Sequence, residues 1–193
     1  MEQITRKVYG RIYFIGGHST GKTTLARFTS ERYGIPLLPE VARLVLAERE
    51  LSMETLRSNL DTVDAFQKEI FLRQVREEAG KESFVSDRSF DNLSYAANHS
   101  RVMKELFESE ELKGYVETLQ SPKVVIFFVR PVKSIMREDG IRERADWDEL
   151  LRIDGMVKMM LEMWGLRYFQ ISTGSMQERA RLVDAVMSEV LRP

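Results

Sequence analysis

The sequence predicts an α/β domain in which a five-stranded parallel sheet is flanked by helices. Three observations carry that expectation. Short β-runs alternate with helical stretches along the whole chain, the order that builds a parallel sheet. The run Val124-Val125-Ile126-Phe127-Phe128-Val129 is apolar throughout, as a central strand covered on both faces requires. A glycine-rich loop, Gly16 to Thr23, lies between an apolar run and a helical pattern.

Taken in order, Arg11 to Ile15 forms the first strand and ends at Gly16-Gly17. A helix runs from about Lys22 to Tyr33, with Gly34 as its stop and Pro36 just beyond. Ile35 to Leu38 makes a short second strand, expected beside the first, and Glu40 to Arg49 reads as helical. Val63, Phe66 and Ile70 give residues 61–79 an amphipathic helical period that closes at Gly80. Ser83 to Ser86 is the third strand, ending on Asp87, and residues 91–120 are helical with a break in their polar middle. Lys123 to Val129 is the fourth strand. After Pro131 comes an arginine-rich segment, then a helix from about Asp146 to Trp164 stopped by Gly165. Tyr168 to Ile171 is the fifth strand. The last helix opens with Ser175-Met176-Gln177-Glu178, the spacing of a capping box.

The composition removes several classes of function. The 193 residues carry 29 Lys+Arg against 30 Asp+Glu, a net charge of −1, and 43% are apolar. That is enough chain for a sizeable core and too apolar for a disordered one. With no repeat and no linker, residues 1–193 read as one domain. There is no cysteine, which excludes a disulfide scaffold, thiol catalysis and Cys-ligated metals, and the two histidines, His18 and His99, are too few for a His-rich metal site. The longest apolar run is far too short to span a bilayer, and the N-terminus lacks the apolar stretch of a secretory signal. The expected setting is cytoplasmic, with no membrane partner. A near-neutral charge argues against a protein that coats nucleic acid.

The chemistry resides in Gly16-Gly17-His18-Ser19-Thr20-Gly21-Lys22-Thr23, which fits G-x-x-x-x-G-K-[ST] without a mismatch. Glycines let successive backbone N–H groups turn inward on a triphosphate, and the following helix adds its N-terminal partial charge to the same anion site. Lys22 is expected to reach the β- and γ-phosphates of ATP. The Thr23 hydroxyl is expected to ligate Mg²⁺, and Thr24 completes the nucleotide-binding run. His18 occupies a variable position of the loop and reads as exposed and incidental.

Elimination narrows the type. No Asn-Lys-x-Asp for guanine and no Leu-Ser-Gly-Gly-Gln occurs. The third strand ends in Asp87-Arg88 rather than the Asp-Glu of an AAA-type motor, and the chain is too short for that motor's helical lid domain. What remains is a P-loop NTPase of the nucleoside and nucleotide kinase type. The loop followed by Thr24-Leu25-Ala26, then Leu38-Pro39-Glu40-Val41-Ala42-Arg43, Ser86-Asp87-Arg88, Asp139-Gly140-Ile141-Arg142 and the ending Tyr168-Phe169-Gln170-Ile171 … Glu178-Arg179 resembles the nicotinamide-riboside kinase domain of NadR-type proteins and its phage and bacterial relatives. The Asp87-Arg88 pair is also similar to that of thymidylate and deoxynucleoside kinases. The resemblance implies phosphoryl transfer within a P-loop fold, and it leaves the acceptor open.

Three further sites are candidates. Glu40 follows Pro39 at the C-terminal end of the second strand, where open α/β sheets bind ligands. It is expected to orient or deprotonate an acceptor hydroxyl, against the alternative of a solvated residue at a helix start. Arg43, one turn on, either clamps an anionic part of the acceptor or forms a surface salt bridge. Asp87 points into the same cleft as a Mg²⁺ ligand or base, with Arg88 on acceptor or phosphate; the alternative is an Asp capping the next helix. Residues 131–146 are expected to form a lid whose arginines, Arg137, Arg142 and Arg144, cross the transferring phosphoryl group, against the alternative of a solvated charged loop.

The functional expectation is an ATP·Mg²⁺-dependent phosphotransferase acting on a hydroxyl or phosphate of a nucleoside- or nucleotide-like acceptor, bound by the helices of residues 40–120. Two alternatives stand beside it. One is a kinase acting on a hydroxymethylated base in phage DNA or on the end of a polynucleotide. The other is a nucleotide-binding switch that turns over no small substrate.

Overall fold

The structure, a computed structural model, describes residues 10–38, 40–48, 59–133 and 147–190. Its four strands are β1 (Arg11–Ile15), β2 (Phe84–Ser86), β3 (Val124–Val129) and β4 (Phe169–Ile171). They pair in the order β2-β1-β3-β4, all parallel. The helices are α1 (Lys22–Tyr33), α2 (Val41–Glu48), α3 (Leu60–Glu78), α4 (Asn92–His99), α5 (Met103–Glu108), α6 (Glu110–Leu119), α7 (Trp147–Met163) and α8 (Met176–Val190).

Successive side chains of a strand point to opposite faces, so each strand feeds two cores. Tyr13 and Ile15 of β1 join Phe84, Ile126 and Phe128 beneath the helical layer of α3, α4, α6 and α7. Ile12 and Phe14 join Val85, Val125, Phe127 and Val129 on the other face, where Leu25 and Ala26 of α1 and Val183 and Met187 of α8 cover them. The apolar run of β3 is buried almost throughout because both layers use it. A satellite core between α2 and α3 contains Val41, Val45, Val63, Phe66 and Ile70.

Helix ends follow the chemistry of their flanking residues. Gly34 closes α1 in the left-handed conformation, φ 66°. Asn59 Oδ1 accepts the amides of Asp61 and Thr62 at 2.9 and 3.1 Å and so starts α3. The amide of Glu178 donates to Ser175 Oγ at 3.4 Å, one half of the expected capping box.

Among the described residues the sheet has four strands rather than the five expected from sequence. Ile35 to Leu38 contributes a single bridge, Leu37 opposite Val85, and it lies outside β2 rather than beside β1. Pro36 accepts from Val85 N through its carbonyl at 2.8 Å, but it has no N–H with which to lengthen the ladder. At the other end the chain leaves the sheet after Ser86, so pairing stops there too.

Candidate active site

All the loops of interest follow C-terminal strand ends of one parallel sheet, so they gather at one edge of it. Gly16 and Gly17 leave β1 under two constraints. Gly16 has φ 135°, and a Cβ there would stand 2.4 Å from the carbonyl oxygen of Val129; at Gly17 it would stand 2.2 Å from Leu150 Cδ1. Position 16 demands glycine, because both its φ and the backbone oxygen exclude a Cβ, whereas at position 17 the obstacle is the end of a side chain. Ser19 at φ 55° and Gly21 at φ 92° complete the turn into α1, which has no side-chain cap on its first amides.

Lys22, the first residue of α1, is 3% exposed. Its ammonium lies 2.8 Å from the carbonyl oxygen of Gly16 and 2.5 Å from that of Gly17, inside the ring of the loop. Thr20 Oγ1 donates to the Gly17 carbonyl at 2.9 Å. Thr23 Oγ1 donates to Asp87 Oδ2. The two residues assigned to Mg²⁺ from sequence are therefore in direct contact. A hydroxyl and a carboxylate are hard oxygen donors and suit Mg²⁺, which takes few protein ligands and completes its shell with phosphate and water. Thr24 lies on the exposed side of the first turn of α1.

Asp87 caps no helix, since α4 begins only at Asn92. Arg88 turns toward Glu40, with Nη2 2.9 Å from Glu40 Oε1, and both side chains are largely buried. Burial by itself would lower the Arg88 pKa, but the carboxylates of Glu40, Asp91 and Asp87, together with Tyr95, raise it well above its ordinary value. The guanidinium is a permanent cation here. Arg43 belongs to α2, but its side chain lies outside the described part of the structure, as do Arg137, Arg142 and Arg144 altogether.

His18 is not the exposed residue expected from sequence. It is half-buried, its amide donates to the Tyr95 hydroxyl at 2.8 Å, and its Nδ1 lies 3.0 Å from the same oxygen. Tyr95, from α4, thus touches the middle of the phosphate loop.

Two residues of the site make contacts not expected from sequence, although Arg179 is among the residues that carry the resemblance. Asp91 is fully buried; its Oδ2 accepts the amide of Gly16 at 3.2 Å and its Oδ1 that of Ser89 at 2.8 Å. Burial raises its pKa, against the opposing charges of Arg88 and Lys22 and the two amide bonds. Arg179, in the first turn of α8, is also fully buried. It donates to the carbonyls of Thr173 at 2.7 Å, Thr20 at 2.6 Å and Arg130 at 3.1 Å, and burial lowers its pKa.

A family model described as an AAA domain matches residues 11–179, from the first residue of β1 to the buried arginine of α8. The chain belongs to the AAA domain family. Within that family it has no Asp-Glu after β2, where Asp87-Arg88 stands instead. No curated protein matches it.

Among solved structures, NadR protein in complex with NR superposes with a TM-score of 0.68 at 16% identity, over 97% of this chain and 53% of that one. Deoxyadenosine kinase from M. mycoides with bound dCTP gives 0.66 at 12%, covering 93% and 99%. Shikimate kinase from Acinetobacter baumannii in complex with shikimate gives 0.57 at 12%, covering 95% and 96%. The fold is that of the P-loop kinases. The chain spans about half the length of the NadR protein. Among the described residues no helix is long and apolar enough to cross a membrane.

Proposed function

We propose that this protein is an ATP·Mg²⁺-dependent phosphotransferase that moves the γ-phosphoryl group to a hydroxyl or phosphate of a nucleoside-like acceptor. The observation that supports this most strongly is the pairing of two halves at one sheet edge. The phosphate loop with Lys22 and Thr23 meets Asp87 directly, and Arg88 and Glu40 stand beside it as an ion pair. A site that only held a nucleotide would not need the second half.

In this reading the loop amides and Lys22 hold the phosphates of ATP. Thr23 and Asp87 hold Mg²⁺, which when bound neutralises phosphate charge. Glu40 takes the acceptor hydroxyl. With Oε1 engaged by Arg88, the Glu40 carboxylate is a fixed hydrogen-bond acceptor, so its main task is orientation. Arg88 supplies positive charge to acceptor or phosphate. The segment carrying Arg137, Arg142 and Arg144 closes over the transferring group, with Arg142 its principal donor.

The test is a transfer screen with γ-labelled ATP against nucleosides, nucleotides, nicotinamide riboside, shikimate, and normal and hydroxymethylated DNA. One soluble acceptor should take up label and drive ADP release. Label entering DNA alone would move the acceptor into a polymer. Nucleotide binding with no acceptor-dependent release would leave the switch. On the acceptor found, Arg142→Ala should lower kcat by about a hundredfold, with a much smaller change in ATP Kd; equal kcat values would remove the lid.

A further inference from the structure

We propose that Asp91 is a positioning residue that clamps the donor loop to the acceptor loop. The role rests on the phosphotransferase reading above, but its geometry is independent of it. Asp91 stands immediately before α4, where an aspartate ordinarily accepts an amide of its own helix. It makes no such bond and so forgoes a stabilising cap. Its two oxygens instead accept from two different loops. Oδ2 takes Gly16 N, where β1 enters the phosphate loop, and Oδ1 takes Ser89 N, next to Arg88 and two residues after Asp87.

The carboxylate is completely buried, and the charges facing it are Lys22 from α1 and Arg88 from its own loop. Its backbone is pinned as well. The Asp91 carbonyl accepts from Ser94 Oγ at 2.6 Å, and Ser89 Oγ lies 2.8 Å from the hydroxyl of the buried Tyr115. One side chain therefore ties the amide that begins the ATP-binding loop to the loop that carries Asp87 and Arg88. Transfer between two ligands demands that their loops hold a fixed distance, and a displacement of about 1 Å can cost about a hundredfold in rate.

Asp91→Asn tests the clamp with almost no change in volume. Both partners are N–H donors, and Asn offers one acceptor oxygen and one NH₂, so one of the two bonds must break. Wild type, Asp91→Asn and Asp91→Ala are compared by thermal unfolding, by the amide resonances of Gly16 and Ser89, by Kd for Mg·AMP-PNP, and by kcat and KM on the acceptor found. The clamp predicts a folded Asn variant in which the Gly16 or Ser89 amide is displaced while β3 amides stay in place. It also predicts that kcat falls about a hundredfold and that nucleotide affinity changes far less.

Three results overturn it. A mere counter-charge predicts tighter Mg·AMP-PNP binding at unchanged kcat, since removing a negative charge beside Lys22 and Arg88 favours phosphate. A mere structural prop predicts a variant that is unfolded, or one whose folded fraction keeps wild-type kcat. Unmoved Gly16 and Ser89 amides in both variants would deny the contact itself. Failure of wild type to bind Mg·AMP-PNP would instead sink the phosphotransferase reading, and the two amides would still decide the clamp.

Discussion

The Lys22 ammonium rests 2.8 and 2.5 Å from two carbonyls of its own loop, and the proposed function gives it the phosphates of ATP. Lys22→Ala should lower the transfer rate by at least about a hundredfold, the usual effect of deleting one electrostatic donor. Thermal unfolding must show the variant folded, because Lys22 is buried; near-normal turnover in a folded variant would remove the lysine from the chemistry. The two carboxylates separate by ligand. Glu40→Ala, which removes the acceptor oxygens, should abolish transfer while leaving Mg·ATP affinity nearly unchanged, whereas Asp87→Asn should raise the Mg²⁺ concentration needed for half-maximal rate. Identical Mg²⁺ titrations with activity retained in both would remove both carboxylates from the chemistry. These residues are legible in the sequence because each answers a local demand. Gly16 and Gly17 meet steric limits, and Lys22 and Thr23 stand at fixed spacing from them. Asp91 is not legible, because it lies 75 residues from Gly16 and its place before a helix reads as an ordinary cap.

At the scale of elements, the sequence places α1, α2, α3 and α7, the start of α8 and all four strands to within about a residue, whereas the stretch 91–120, read with one break, is three helices, α4, α5 and α6. Periodicity overstates the expected second strand because a β-rich run such as Ile35 to Leu38 says nothing about which hydrogen bonds a partner can return; Pro36 and the end of β2 decide that. Nor does it anticipate how α8 is fastened, since Arg179 and Thr20 are 159 residues apart. That one guanidinium joins the phosphate loop, the turn after β4 and the residue after β3. Its removal strands three carbonyls, and a charge-assisted bond lost from a buried acceptor generally costs more than a neutral one. Arg179→Met should therefore lower stability by about 3 kcal/mol, read from the urea midpoint, and weaken nucleotide binding through Thr20. An unchanged midpoint would mean that the carbonyls find other donors.

At the scale of the whole molecule, one buried carboxylate connects the sheet to two helices of the layer above it. Glu78, at the end of α3, is almost fully buried and accepts from Tyr13 of β1, from Tyr115 of α6 at 2.9 Å and from Gln74 of its own helix. Burial raises its pKa, and the hydrogen bonds from Gln74, Tyr13 and Tyr115 only partly oppose this. The folded protein thus binds the Glu78 proton more tightly than the unfolded chain does. The resulting stabilisation is complete below the unfolded value of about 4.3 and is lost as pH rises through the higher folded value. Asp91 and Asp154 are raised too, so the pH dependence of wild type alone would not isolate Glu78. Comparison with Glu78→Gln does, because the other carboxylates are common to both proteins and Gln has no proton to lose. Urea unfolding of the pair across pH 4 to 8 should show wild-type stability falling relative to the variant as pH rises. A difference independent of pH would mean that Glu78 titrates alike in both states and that the tyrosine cage fully compensates its burial. A difference of opposite slope would mean that the cage holds the carboxylate more strongly than water does.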